Sequence, residues 1–299
     1  MIDPVAFEIG PLQVHWYGII IAAAALFGAA LATRVARWLG EDPDHAWSML
    51  LIVMVVAVIG ARLYHVIHMW EHYSANPAEI PQIWNGGLGI PGGVAGGALA
   101  ILFYARANRI NAARWMDIAA PALLLGQVIG RLGNFVNQEL YGPPVELCGN
   151  EFPPCLPFGI QIDAAHRAGT PWDAAAYPVE TTQFVPLFAY EMALNLIGVF
   201  VLLWAIRRFS PRLFAGDAVL MYIMWYGAVR TFLETYRVNN WTIVGLPTAT
   251  WIGIIGFVLA GAWFIYRHRR GWGSPMVRPA EERETDAPAA EPQAEASPG

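Results

Sequence analysis

The sequence has no lysine, only two cysteines and few charged residues of either sign. Charged residues make up 14% of the 299 positions, whereas soluble domains carry about 25%. Two cysteines are too few for a disulfide-rich secreted scaffold, and the net charge of −5 offers no basic surface for nucleic acid. The 56% of apolar residues, with thirteen tryptophans among them, argue against a disordered chain and predict a polytopic membrane protein.

Seven segments are apolar and long enough to cross a bilayer, which takes about 20 residues. Asp3 and Glu8 precede the first one, and no basic start is present, so we expect a permanent span and not a removable signal peptide. The predicted fold class is all-α, a polytopic membrane protein with seven transmembrane helices. The predicted spans cover residues 17–35, 46–69, 87–104, 117–137, 184–206, 218–236 and 249–266.

Arginines cluster after alternate spans, and the segment between the second and third spans has none. Because basic residues concentrate in cytoplasmic loops, this pattern predicts an N-terminus outside and a C-terminus in the cytoplasm. The clusters are Arg34 and Arg37; Arg106, Arg109 and Arg114; Arg207, Arg208 and Arg212; and Arg267, Arg269 and Arg270.

We divide the chain into a membrane domain, residues 1–272, and an acidic tail, residues 273–299, that has too few apolar residues to fold and should be disordered in the cytoplasm. Within the domain, residues 138–183 form a long segment on the outer side. This segment holds both cysteines, Cys148 and Cys155, and an oxidising environment favours a disulfide between them. Two free thiols are the alternative.

Ionisable side chains inside the predicted spans are functional candidates, because each costs at least ~2.5 kcal/mol by insertion scales. The densest group closes the fourth span, where Arg131 is followed by Asn134, Asn137 and Glu139. A guanidinium group is a planar cation suited to phosphate. The other candidates are Arg62, His65 and His68 in the second span and Glu191 in the fifth.

The sixth span carries a second charged group. Arg230, Glu234 and Arg237 share one helix face because they are spaced by four and three residues. Two separate spans therefore offer arginine at similar depth, which suits an anionic lipid headgroup. The alternative is a network of Arg–Glu pairs that only holds the helices together.

The third span begins with a glycine-rich stretch, in which seven of the twelve residues from 86 to 97 are Gly. Gly89, Gly93 and Gly97 predict a ridge for close helix contact. The Gly-Pro start could also be an unwound stretch beside a cavity. At the first span, Tyr17 fits an aromatic belt, and His15 is a general base or an interface residue.

Together these segments resemble the bacterial prolipoprotein diacylglyceryl transferases, over nearly the whole chain to about residue 270. The run at 130–139 resembles the signature of that family, and the other motifs occur in the expected order. The motifs are HWYG at 15–18, GAR at 60–62, WNGG at 84–87, GRLGNFVNQE at 130–139, YE at 190–191 and YGAVRTFLETYR at 226–237.

The resemblance implies a multi-pass enzyme of the bacterial cytoplasmic (inner) membrane. It would transfer the diacylglyceryl group of phosphatidylglycerol, a membrane lipid, to the lipobox cysteine thiol of a preprolipoprotein, forming a thioether and releasing glycerol phosphate. No metal, soluble cofactor or nucleic acid is expected. Arg131 and Arg230 would bind the lipid phosphate. Further catalytic or substrate-binding positions would be Tyr17, Asn134, Glu139, Gly142 and Glu234, with Asn137, Arg237 and His15 as additional substrate-binding candidates.

One position departs from the family pattern, because Pro91 stands where well-known members have a histidine cast as general base. Proline can neither accept nor donate a proton, so another group would activate the thiol; our candidates, in order, are Glu139, Glu234 and His15. The departure also raises the alternative of a catalytically inactive paralogue. A protein that binds or transports an anionic lipid without reacting is another alternative. A smaller departure is Phe188-Ala189, where the family usually has Gln-Leu.

Overall fold

The computed structural model describes residues 5–10, 12–237 and 242–279. Most of this chain is helical, with two small antiparallel hairpins that the sequence patterns did not predict. The elements are β1 (Val5–Ile9), β2 (Leu12–His15), α1 (Trp16–Leu39), α2 (Asp44–His68), α3 (Trp70–Ala75), α4 (Ile90–Ala107), α5 (Ala112–Val136), α6 (Leu187–Phe209), α7 (Asp217–Glu234), β3 (Thr242–Ile243), β4 (Leu246–Pro247) and α8 (Thr248–Arg270).

A long helix occupies each of the seven predicted positions, and the short helix α3 follows α2. Six of the long helices are apolar enough to cross a membrane: α1, α2, α4, α5, α6 and α8. The seventh, α7, has 18 residues and includes three charged ones, Asp217, Arg230 and Glu234. The polytopic all-α class is therefore confirmed on six helices.

Glycines set the closest helix contacts. A Cβ atom at Gly92 of α4 would lie 2.2 Å from the backbone oxygen of Gly60 in α2, and one at Gly96 would lie 2.6 Å from the oxygen of Val56. A Cβ at Gly93 would make only an ordinary contact, 3.6 Å from its nearest neighbour. Of the predicted ridge, only Gly89 is tightly packed, since a Cβ there would lie 2.3 Å from the Tyr64 ring, whereas Gly93 and Gly97 make ordinary contacts with α2. The closest backbone contacts between α4 and α2 are made by Gly92 and Gly96 instead.

Helix α5 packs against α1, α4, α6 and α7 and so lies at the centre of the bundle. At the end of α5 away from Arg131, the carboxylate of the fully buried Asp117 accepts hydrogen bonds from the backbone N–H groups of Gly216 (2.6 Å) and Val219 (3.0 Å). Asp117 thereby satisfies donors at the N-terminus of α7. This buried acid has a structural role that the span pattern did not indicate.

The chain that follows α8 crosses the same end of the bundle. Ala215 donates a backbone hydrogen bond to Ser274 (2.8 Å), and Arg278 donates one to Leu39 at the end of α1 (2.8 Å). The side chain of Met276, between them, is fully buried. Residues 273–279, at the start of the predicted tail, are thus packed against the membrane domain, and 280–299 lie outside the described residues.

The segment at 138–183 is irregular, with two short 3₁₀ turns. Cys148 and Cys155 form a disulfide with their Cα atoms 5.7 Å apart, which confirms the expected pairing. The two cysteines pack on buried apolar residues at the adjacent ends of α6 and α7. The Tyr236 hydroxyl donates to the backbone oxygen of Pro154 (2.8 Å), so this loop is tied to the end of α7.

Candidate active site

Arg131 lies in α5, five residues before the helix ends, and both of its terminal nitrogens are engaged. Nη1 donates to Oδ1 of Asn134, one turn further along, at 2.7 Å. Nη2 donates to Oε1 of Glu191 in α6 at 2.5 Å. The buried Nε atom has no hydrogen-bond partner among the described residues. The guanidinium plane is thus fixed by two helices and retains an unused donor.

The chain after α5 folds back on this arginine. The Glu139 carboxylate accepts hydrogen bonds from the side-chain amides of Asn134 (2.8 Å) and Asn137 (3.4 Å). The backbone N–H of Glu139 donates to the backbone oxygen of Asn134 (2.9 Å). Gln138 and Leu140 on either side adopt positive φ, which produces the reversal. Glu139 remains exposed, so its carboxylate is oriented and accessible.

Helix α7 brings the second charged group to the site. Nη2 of Arg230 lies 3.1 Å from Oε2 of Glu234, and Nε of Arg237 lies 3.9 Å from the same oxygen. The three side chains are therefore close together, with the buried Glu234 at their centre, but only Arg230 and Glu234 share a helix face, because α7 ends at Glu234 and Arg237 lies beyond it.

The two charged groups form one cluster. The Tyr226 hydroxyl, on α7, lies within electrostatic range of Arg131, Glu191, Arg230 and Arg237. Arg237 is likewise within range of arginines and carboxylates from all three helices. We call Arg131, Glu191, Arg230, Glu234 and Arg237 the charged cluster.

Exposure within the charged cluster is uneven. The side chains of Arg131, Arg230 and Arg237 are 18%, 21% and 20% exposed, whereas those of Glu191 and Glu234 are only 3% and 4% exposed. An incoming ligand therefore meets guanidinium groups first. The carboxylates lie behind them and hold them in place, so the open side of the cluster favours an anion.

Two other predicted site residues, Tyr17 and Gly142, are held by contacts with α5 and with the segment before α6. The Tyr17 ring rests on the Gly133 backbone, where a Cβ atom would come within 2.6 Å of the ring. Tyr17 is thus beside the turn that carries Arg131. Gly142 donates a backbone hydrogen bond to Val185 (2.8 Å) just before α6 and packs against that segment.

Two further positions are not brought to the cluster by contacts among the described residues. His15 is exposed at the end of β2, where its backbone pairs with Val5. Pro91 lies in the first turn of α4, a position that suits proline because that N–H has no helical acceptor.

Arg62 has a structural role. Its guanidinium group donates to the backbone oxygens of Glu79 (2.6 Å), Ile80 (2.8 Å), Gly86 (2.8 Å) and Gly87 (3.0 Å). The irregular stretch at 86–89, which the Gly-Pro sequence indicated, is thereby fixed to α2.

Sequence reasoning singled out Glu191 as an intramembrane acid but did not pair it with Arg131. The pairing joins residues 60 positions apart. The only signal in the sequence was that a buried acid in one span needs a cation from another.

Comparison with known proteins identifies the family. Residues 4–266 match the family model described as prolipoprotein diacylglyceryl transferase. This chain belongs to that family. The phosphatidylglycerol–prolipoprotein diacylglyceryl transferase of Chloroflexus aggregans is 36% identical over 285 residues, covering 90% of each chain. The proteins of the same name from Streptococcus agalactiae and Streptococcus uberis are 35% and 34% identical, covering 90% and 93% of this chain and 97% and 100% of their own lengths.

Proposed function

We infer that this chain is a transferase that moves the diacylglyceryl group of phosphatidylglycerol to a prolipoprotein, as its family membership and the names of its relatives indicate. The observation in the fold that carries this inference is the charged cluster, in which three arginine side chains are partly exposed and the two carboxylates are buried. In the finer form of the proposal, the acceptor is the lipobox cysteine, the product is a thioether, and glycerol phosphate leaves.

We further propose that the protein spans the bacterial inner membrane seven times, with its N-terminus outside. Six helices have the length and apolarity for a span. The seventh, α7, packs between α6 and α8, and its charged residues lie near its two ends. The arginine distribution supports this orientation, which would place the charged cluster at the outer ends of its helices.

In this arrangement Arg131 and Arg230 bind the lipid phosphate. Substitution at the glycerol carbon forms a carbon–sulfur bond and breaks the carbon–oxygen bond to phosphate, so negative charge develops on the leaving group. Guanidinium groups already fixed by Glu191 and Glu234 stabilise that charge without having to reorganise.

Thiol activation is assigned to Glu139, which leads our three candidates. Its carboxylate is exposed and held by two asparagines. Glu234 is buried, and its Oε2 atom lies 3.1 Å from Arg230 and 3.9 Å from Arg237, so its carboxylate is already occupied by two guanidinium groups. His15 has no contact with the cluster among the described residues. With Glu139 as the base, the site does not need the histidine that well-known family members have at the position of Pro91.

A transfer assay tests the proposal, using purified protein in detergent, phosphatidylglycerol and a lipobox peptide with one cysteine. Arg131→Ala should lower turnover by at least about 10²–10³-fold, as expected when a donor to a developing anion is lost. Arg131→Lys should also be poor, because it keeps the charge and loses the planar fork. Arg106→Ala, an exposed arginine at the other end of the bundle, should behave as wild type.

Both products must be followed, namely the mass gain of the peptide and the release of glycerol phosphate. Retained turnover in Arg131→Ala would overturn the phosphate-binding role. Lipid binding by the wild type without either product would identify the inactive paralogue or the lipid-binding protein instead.

A further inference from the structure

Three uncharged polar side chains lie one helical turn further into the bundle than Arg131, Glu191 and Tyr226. Gln127 precedes Arg131 by four residues, Asn195 follows Glu191 by four, and Tyr222 precedes Tyr226 by four. Side chains four residues apart share a helix face and lie about 6 Å apart along the axis. We call Gln127, Asn195 and Tyr222 the polar layer.

The polar layer is a directed chain of hydrogen bonds across α6, α5 and α7. Nδ2 of Asn195 donates to Oε1 of Gln127 (3.2 Å), and Nε2 of Gln127 donates to the hydroxyl oxygen of Tyr222 (3.0 Å). Because the Tyr222 oxygen is the acceptor, its own proton is left to donate. No acceptor for that proton occurs in the described part of the chain. Bonds in such a chain strengthen one another, which favours donation from the last member.

The polar layer borders open space. A Cβ atom at Gly126 or at Gly130, the two glycines preceding Gln127 and Arg131 in α5, would meet no atom within 4 Å. Gln127 and Tyr222 are themselves only half-buried. Open space therefore lies beside α5 at the two positions that precede Gln127 and Arg131, and we call it the gap.

Hydrogen bonds between membrane helices are often only structural. A purely structural group would satisfy its polar atoms, since buried ones are almost always paired. Here Asn195 is fully buried and its Oδ1 has no partner in the described chain, while Tyr222 has a donor to spare. An incomplete network beside a gap is what a binding site leaves for its ligand.

We propose that the polar layer binds an ester carbonyl of the diacylglyceryl group through the Tyr222 hydroxyl. This inference rests on the proposed phosphate site. With the phosphate on the charged cluster, the ester groups lie a few bonds away toward the acyl chains, which is the direction of the polar layer. An ester carbonyl is a neutral acceptor and matches a neutral donor. The glycerol carbon under attack then lies between the two layers, and both ends of the lipid segment are held during the substitution.

The test compares two forms of phosphatidylglycerol, the natural diester and a diether analogue that has no carbonyl groups. Wild type should have a kcat/KM on the diester that is about three- to tenfold higher, which is what one net hydrogen bond contributes. Tyr222→Phe keeps the ring and removes only the donor. It should lose that factor on the diester and be unchanged on the diether. Gln127→Met should also lower the ratio of kcat/KM on the diester to kcat/KM on the diether.

Tyr104→Phe is the matched control, because its hydroxyl bonds His45 (2.8 Å) in another part of the bundle. Equal losses on both lipids in Tyr222→Phe would show a structural role and overturn the proposal, as would a wild type indifferent to the carbonyls. Running Arg131→Ala in the same assay separates the two hypotheses. If Arg131→Ala stays active, the proposed phosphate site is wrong. If Arg131→Ala is inactive, but Tyr222→Phe has the same ratio of diester to diether kcat/KM as the wild type, only the role of the polar layer is wrong.

Discussion

At the scale of single residues, the site combines local and distant contacts. Asn134 lies one helical turn from Arg131, so the sequence alone places the two side chains together. Glu191 and Arg62 could be singled out only as charges inside spans. Their partners, a guanidinium 60 residues away and four backbone oxygens at 79–87, depend on how the helices pack. Local pattern therefore predicts the members of a site better than their roles.

A pH profile decides whether Glu139 accepts the thiol proton. Glu139→Gln keeps the size and the hydrogen-bonding capacity of the side chain but cannot take a proton. We expect kcat/KM to fall about 10²–10⁴-fold, the usual contribution of a general base. The pH dependence of kcat/KM should change with it, leaving only the dependence on the thiol of the peptide, whose usual pKa is ~8.5.

The matched control for this profile is Glu146→Gln, which changes an exposed acid of the irregular segment at 138–183. It should retain both the rate and the pH profile of the wild type. If Glu139→Gln keeps the wild-type pH dependence, Glu139 is removed from the list of bases, and a different group near the charged cluster must take the proton.

At the scale of helices, apolar runs predicted where each long helix lies to within a few residues, because length and apolarity are properties of the segment itself. Which face of a helix meets its neighbour is a property of the pair. The close contact uses Gly92 because Gly60 of α2 offers its bare backbone at that level. The same small-residue spacing occurs at Gly93 and Gly97, so the spacing alone could not identify the contact face.

Neighbouring glycines in α4 should therefore respond differently to the same substitution. Gly92→Ala places a methyl group 2.2 Å from the Gly60 oxygen and 2.4 Å from the Tyr64 Cβ atom, neither of which can yield without moving a helix. We expect a loss of about 1–3 kcal/mol. Gly93→Ala meets only ordinary contacts and gains helix propensity, so its stability should be unchanged or higher. Unfolding in detergent measures both, and equal effects would contradict this packing.

At the scale of the whole molecule, the two ends of the bundle serve different purposes. The end with the charged cluster has partly exposed arginines and an incomplete polar network. At the other end, Asp117 caps α7, and Arg267 pairs with Asp217 (3.1 Å) and donates to the Ala215 oxygen (2.8 Å). Buried charged groups whose hydrogen-bonding atoms all have partners stabilise a structure, whereas groups with unpaired donors bind ligands. The sequence alone does not show this structural end: Asp117 begins the fourth predicted span, and Asp217 and Arg267 lie just outside the sixth and seventh.

The segment after α8 should contribute to that structural end. Its backbone bonds to the loops before α7 and after α1, and Met276 fills the space between them. Met276→Ala should cost about 2–5 kcal/mol, the usual range for a buried methionine. A chain ending at Gly271 should be destabilised further. A chain ending at Pro279 keeps every one of these contacts, so its thermal unfolding in detergent should match that of the full-length protein. If the chains ending at Gly271 and Pro279 unfold at the same temperature, the segment adds nothing to stability, and the two loops must be held by the Asp117 and Asp217 networks alone.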